Sequence, residues 1–333
     1  MLRFNKFYFF IVAVSAFFLF SQVWAHTPLN GVDEIHSLDT AFNIENPTKS
    51  WTLYRELHNE ADYYKLQLNS GERLRVSLYV KDLKENFSPE LVIMAEDFVS
   101  QNVFPDNLEK PQGYEALIFE SETPQEREYE PFTPTSYYYL IDVDLTLNQT
   151  GDYFMAIFEP NSVEGNYGLA VGYKEEYTLT EWIMVPFDVV NIHEWEGQSM
   201  IEILTPMILT LVIGFTAMVW KGLLKFKILK ILGAIGGLLY VGSAMMILHQ
   251  MIIATLGATF TYGALFTLIF VAIPLILGLF IIKKAINFDK KLSLKNRIIF
   301  VTLGLAGLFS WSGFIIGPIL VAICGLLPIR ILK

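Results

Sequence analysis

Charge limits how this chain can fold more than any other feature, because its sign changes once along the sequence. Residues 26–200 carry ten Lys or Arg against 32 Asp or Glu, a net charge of −22, whereas residues 201–333 carry twelve against two, a net +10. The acidic part has enough charge to face water. The basic part gathers its charges into short clusters between long uncharged runs, which suits lipid. With 53% hydrophobic residues and a mean hydropathy of +0.41, the whole is too apolar for an ordinary soluble protein. At 333 residues it is long enough for two domains.

Apolar segments at 203–220, 228–248, about 253–282 and 298 to about 320 each approach or exceed the ~20 residues that a helix needs to cross the hydrocarbon core. The expectation for 201–333 is therefore an α-helical transmembrane bundle of about four helices. Lys221, Lys225, Lys227 and Lys230 stand between the first two segments; Lys283, Lys284, Lys290, Lys291, Lys295 and Arg297 stand between the third and fourth. The positive-inside rule assigns both loops to the cytoplasm and the acidic domain to the opposite side. The tail, IIGPILVAICGLLPIRILK, reads either as the end of the fourth span, interrupted at Gly317-Pro318 and Pro328, or as a re-entrant piece, because 319–329 are too few residues to cross. Four spans would leave the C-terminus outside, against the pull of Arg330 and Lys333.

At the other end, Arg3 and Lys6 precede an apolar run at 7–20, and Val23-Trp24-Ala25 follows with a small residue at the expected cut. This is the layout of a secretory signal peptide, and it places the acidic domain outside independently of the loop charges. The expected organisation is a signal peptide at 1–25, an exported domain at 26–180, an interfacial segment at 181–200 and a transmembrane domain at 201–333. Together they describe a multi-pass protein of the cell membrane with a large extracytoplasmic N-terminal domain. Cys324, the one cysteine, lies in the apolar tail, so no disulfide framework staples the exported domain.

Period-2 alternation is clear at 64–68 and 74–80, with Asn69-Ser70-Gly71-Glu72 as the turn between them. Further strands are expected at 90–95, 115–119, 137–147, 153–158 and 167–173. Short strands separated by Gly, Pro, Asn and Asp predict an antiparallel β-sandwich whose tyrosines, phenylalanines and leucines are mainly core.

Four pieces of this region, ADYYKLQLNSGERLRVSL (61–78), PELVIM (89–94), TGDYFMAIFEP (150–160) and GNYGLAVG (165–172), resemble the bacterial pre-peptidase C-terminal (PPC-like) sandwich. The resemblance implies an extracellular, jelly-roll-like module of a kind often appended to secreted enzymes. It covers roughly a third of the chain and rests on turn glycines and strand aromatics, so it implies a fold more than an activity. The protease domain that usually accompanies the family is missing from the sequence, and the membrane part has no recognised relative.

Histidines supply the candidates for chemistry. Cleavage after Ala25 would give His26 both an α-amine and a ring nitrogen to offer one ion, and such donors suit copper or another borderline transition metal. His36 or His58 would complete that set. The arrangement resembles copper-binding exported proteins that begin with histidine after processing, including the soluble part of the membrane monooxygenase that oxidises methane or ammonia. A second candidate is VNIHEWEG at 190–197, just before the first span, together with His249 near the outer end of the second. The expected topology puts His193, Glu194, Glu196 and His249 at the outer bilayer edge, where they could meet around a metal ion or a polar group of another subunit. Trp182, Phe187 and Trp195 read as interfacial anchors for the same segment.

Other functions find little support. No Asp, Glu, Lys or Arg lies deep within a proposed span, which counts against ion-coupled transport. Phosphate loops, nucleophile elbows and zinc-protease helices are missing from the sequence. The acidic domain counts against nucleic acid as a partner. Small residues at Gly233-Ala234-Ile235-Gly236-Gly237, Gly304-Leu305-Ala306-Gly307 and Gly313 to Gly317 suit close helix packing. The sequence therefore predicts a non-catalytic accessory, scaffold or receptor-like subunit that presents a β-sandwich for protein or ligand binding, with the lipid bilayer and other membrane proteins as partners. The alternatives are a copper-binding or oxidase-associated subunit using His26, and a metal-dependent membrane enzyme with its site at the outer interface.

Overall fold

The alternation read at 64–80 is realised in two successive strands that enter different sheets. The structure, a computed structural model, describes residues 27–29, 34–83, 87–100, 103–122, 124–224, 228–258, 261–287 and 293–327. The expected signal peptide and His26 lie outside these residues. Among the described residues the strands are β1 (Thr27–Pro28), β2 (Phe42–Ile44), β3 (Trp51–Leu57), β4 (Asp62–Leu68), β5 (Arg73–Val80) and β6 (Glu90–Ala95), followed by β7 (Glu115–Phe119), β8 (Glu128–Glu130), β9 (Thr135–Thr146), β10 (Gly151–Phe158) and β11 (Gly165–Val171). One sheet runs β1-β3-β11-β5-β9-β8 and the other β2-β4-β10-β6-β7.

The sandwich is mixed rather than purely antiparallel. β1 pairs with β3, and β2 with β4, in parallel at one edge of each sheet. These two short strands precede the first period-2 stretch and run in the same direction as the strands they flank. Between the sheets lie Leu53, Leu66, Val76, Leu78, Ile93, Val143, Met155 and Leu169, all buried, as alternation demands of two inward faces. Asp62 is buried in the same layer. Its carboxylate accepts from Arg55 Nε at 2.8 Å and from the Tyr167 hydroxyl at 2.6 Å. A buried charge at this depth is tolerated because it is both paired and hydrogen-bonded.

Each sheet also buries its outer face in part. On the five-stranded sheet, Tyr63, Val92, Met94 and Ala156 are covered by Leu38, Phe104 and Leu108 from loops. On the six-stranded sheet, Tyr79, Tyr137 and Ala170 pack with Tyr54 and Trp195. Trp195 belongs to the first described helix, so this face joins the sandwich to the helical part of the chain.

Six helices succeed the strands among the described residues: α1 (Leu179–Trp195), α2 (Met200–Trp220), α3 (Ile228–Gly257), α4 (Gly263–Ile286), α5 (Leu294–Phe309) and α6 (Ile316–Leu326). Three of them, α2, α3 and α4, are long and apolar enough to cross a membrane. By length and composition, then, this is a membrane protein. The bundle packs through its small residues: a Cβ on Gly237 would fall 2.9 Å from Gly278 O, and one on Gly304 2.8 Å from Pro318 O.

The expected fourth span is replaced by a helical hairpin. Trp311, Gly313 and Phe314 take φ of 52°, 74° and 54°, left-handed values that no α-helix accommodates, and the chain reverses there. Pro318 is the third residue of α6, in the first turn, where its missing N–H costs no intrahelical bond. The Gly317-Pro318 pair thus begins a helix rather than interrupting one. α6 returns antiparallel to α5, so that a Cβ on Gly325 would meet Arg297 O at 2.5 Å and Arg297 Nη2 donates to Leu327 O. Leu327 consequently lies beside the start of the hairpin. At this same end, remote from the sandwich, Lys230 donates to Ile286 O at 2.5 Å.

Candidate functional site at the domain junction

HEWEGQS, residues 193–199, builds a corner between two helices. Gly197, with φ of 94°, ends α1 in the left-handed conformation that favours glycine, and Gln198 N–H donates to His193 O at 3.0 Å. Two residues later Ser199 caps α2 in a reciprocal capping box with Glu202. The corner fixes the last turn of α1, where His193 and Glu196 lie three positions apart and therefore on one face.

Both side chains are 1% exposed. His193 Nδ1 lies 3.0 Å from Glu196 Oε2, Lys81 Nζ lies 3.3 Å from the same oxygen, and the Thr135 hydroxyl donates to Glu196 Oε1. Lys81 Nζ also donates to Thr135 Oγ1 at 3.0 Å. One carboxylate thus gathers a histidine from α1, a lysine just past β5 and a threonine from β9. Burial would raise the carboxyl's pKa, but the His193 hydrogen bond, the Lys81 charge and the Thr135 hydroxyl together hold it below the ordinary 4.5. Around this network Trp195 packs on Tyr54 at 4.8 Å and on Tyr137 at 6.2 Å between ring centroids. Its Nε1 donates to Arg55 O at 3.1 Å.

A cavity of about 80 Å³ adjoins the network, bounded by α1, α3, the hairpin turn and the loop before β9. His193, Ser243 and Gln250 are its polar lining, among Val189, Met246, Phe270 and other apolar side chains. Gln250 is held by Gln198 in a two-way amide pair at 2.8 and 3.0 Å, and Ser243 Oγ accepts from Gly313 N–H at 2.8 Å. His193 Nε2 has no hydrogen-bond partner among the described residues.

The residues expected to gather around metal are dispersed. His193 and Glu196 meet, whereas Glu194 is exposed and His249 does not line the cavity. His36 Nδ1 lies 3.3 Å from Asp62 inside the sandwich domain, and His58 is exposed 3.8 Å from Glu164. Among the described residues no group of three or more His, Cys, Asp or Glu side chains is placed to hold a metal ion. The His26 reading falls on a residue that is not described. Lys81, Thr135 and Asp62 were not singled out from the sequence. The signal for Lys81 was a lone lysine closing the apolar strand LYV; Thr135 and Asp62 gave none beyond their place at strand starts.

A second and larger concavity, of about 850 Å³, lies between the outer face of the six-stranded sheet and the first turns of α4. Arg73, Arg75, Lys174, Glu128, Glu130, Asp142 and Glu175 contribute its charges, and Gly263 and Phe266 its helical wall. Tyr129, beside it, ties the two domains by a 2.7 Å hydrogen bond to Thr267. Burial pushes the Glu130 carboxyl up to about 7, with the charge of Glu175 adding to the shift and the Phe132 N–H opposing it. A carboxyl raised in the folded state stabilises least when ionised, so stability should fall as pH rises from about 4.5 to 7. Glu130→Gln should remove that slope. The whole shift corresponds to about 3 kcal/mol at pH 8, reduced to about 1 kcal/mol by the water that reaches a half-buried side chain. Thermal unfolding in detergent at pH 5 and pH 8 measures it: the variant should gain over the wild type at pH 8 and match it at pH 5.

No protein-family model matches the chain, and no curated protein matches it. What the chain does must therefore be read from its geometry.

Proposed function

We propose that the chain is a non-catalytic, membrane-anchored accessory or receptor-like subunit that presents its sandwich on the extracytoplasmic side of the cell membrane to bind a ligand or partner protein. The observation that carries this reading is the cleft of about 850 Å³ under the six-stranded sheet. Its volume is within the range of sites that take small molecules or peptide segments, and its mixed charges suit recognition of a polar group more than an apolar one. The paired, hydrogen-bonded junction supports a binding role as well, because it holds the cleft's two walls in a fixed relation.

Photo-crosslinking in native membranes tests the proposal. A photoreactive phenylalanine analogue replaces Ser77, which lines the cleft, or Gln67, which is exposed on the opposite sheet. A discrete adduct from position 77 that position 67 does not give is the expected result. Equal labelling at both positions, or none at 77, overturns it.

A further inference from the structure

We infer that the cavity beside His193 is a binding site for a small, uncharged, hydroxyl-bearing molecule that enters from the bilayer. The site is separate from the cleft, and its chemistry begins with the imidazole. Ionised Glu196 can only accept, so Nδ1 carries the proton of the Nδ1···Glu196 hydrogen bond, and in the neutral ring Nε2 is then a bare acceptor. That acceptor is buried and has no partner among the described residues. Leaving it so is costly, and a donor in the adjoining space removes the cost.

The lining decides what kind of donor fits. Among the described residues no carboxylate faces the cavity, so an ammonium group would enter without a counter-charge. Among them no lysine or arginine faces it either, which counts against an anion on the same ground. A single ring nitrogen, with no other His, Cys, Asp or Glu among the described residues of the lining, is too few ligands for a metal ion. A water on Nε2 could reach only Ser243 and the N–H and lone pair that the Gln198 pairing leaves over on Gln250, and it would leave the apolar walls of the cavity uncovered. What remains is a neutral molecule with one hydroxyl and a compact hydrocarbon body. At about 80 Å³ the cavity has roughly half the volume of one known to take benzene, which limits the occupant to about four or five heavy atoms. Pro186, Val189 and Ile247 on its rim are half-buried, so the space is not sealed, and α1 and the spanning helix α3 bound the way in.

The test uses the full chain in lipid nanodiscs with ¹⁵N-labelled histidine rings, and two probes of identical composition: 1-butanol, which can donate a hydrogen bond, and diethyl ether, which cannot. The His193 Nε2 resonance is assigned by its loss in His193→Gln. Should that variant not fold, elimination with His26→Gln, His36→Gln, His58→Gln and His249→Gln assigns it. Butanol should move the Nε2 resonance upfield saturably, at a half-saturating concentration about tenfold below any effect of ether, the factor equivalent to about one buried hydrogen bond. Val189→Phe, which fills the cavity without touching the Glu196 pair, should abolish the response and leave the Nδ1 resonance in place. Equal responses to the two probes, a butanol response that survives Val189→Phe, no response to butanol, or an Nε2 that already carries a proton would each overturn the inference.

Discussion

Glu196→Ala should lower the stability of the whole protein by about 3–5 kcal/mol, the range observed when one partner is removed from a buried ion pair. The loss is large because three groups depend on that carboxylate. Lys81, only 16% exposed, keeps its charge but loses its counter-ion, while His193 Nδ1 and the Thr135 hydroxyl lose their acceptor. Thermal unfolding in detergent gives the size, and hydrogen exchange across the last turn of α1 gives the place. The double substitution Lys81→Met with Glu196→Leu should recover much of the loss, because a well-packed apolar pair is often as stable as the ion pair it replaces. An effect of Glu196→Ala within about 0.5 kcal/mol, the range of an unremarkable surface change, contradicts this account of the junction. Acidity should act in the same direction. Because the carboxyl's pKa is depressed in the folded state, its contribution is complete above about 4.5 and disappears as pH falls below that value through the folded pKa. Glu196→Ala should have little left to lose there.

Gly307→Ala should destabilise the bundle by about 2 kcal/mol even though alanine is the better helix former. Tyr240 is fully buried, its hydroxyl donates to Leu303 O at 3.0 Å, and a Cβ on Gly307 would fall 1.7 Å from that hydroxyl. Overpacking of this kind costs about 1–3 kcal/mol and sometimes more, against about 1 kcal/mol gained from helix propensity. The ring has little room to retreat, because Gly313 and Gly317 also approach it closely. Removing the ring reverses the sign. In a Tyr240→Ala background the same Gly307→Ala change should stabilise by about 1 kcal/mol, since only the propensity term remains. Melting temperatures of the four proteins in this cycle measure the coupling. A cost for Gly307→Ala that is the same in both backgrounds means that the ring is not its cause.

Where alternation governed burial, the sandwich was legible in the sequence. The expected strands at 90–95 and 115–119 coincide with β6 and β7, and the expected strand at 74–80 differs from β5 by one residue. β3 escaped notice because its alternation breaks at Tyr54-Arg55: Tyr54 packs on Trp195 at the outer face, and Arg55 is turned inward to Asp62 at 2.8 Å. β1, β2 and β8 contain two or three residues each, too few to show a period. At the site, His193 and Glu196 were visible as a polar pair before an apolar run. Their partners were not, because Lys81 and Thr135 lie 115 and 61 positions away from Glu196 and meet it only through the fold. The expectation of four spans failed at Ser310-Trp311-Ser312-Gly313. A stretch apolar enough for a helix was read by composition, whereas its backbone conformation decides that the chain turns back.

That turn has a mechanical consequence. Trp182 Nε1 donates to Phe309 O at 3.0 Å while Trp311 Nε1 donates to Trp182 O at 2.7 Å, and the two indoles pack 4.4 Å apart. The tip of the α5–α6 hairpin is thereby gripped by α1, the helix that also carries Trp195 into the aromatic face of the sandwich. With its two helices packed side by side, the hairpin is a lever whose handle is held by the sandwich and whose far end lies among the bundle's basic residues. A tilt of the sandwich that leaves the tryptophan grip intact must therefore displace the handle, and a rigid lever moves at both ends.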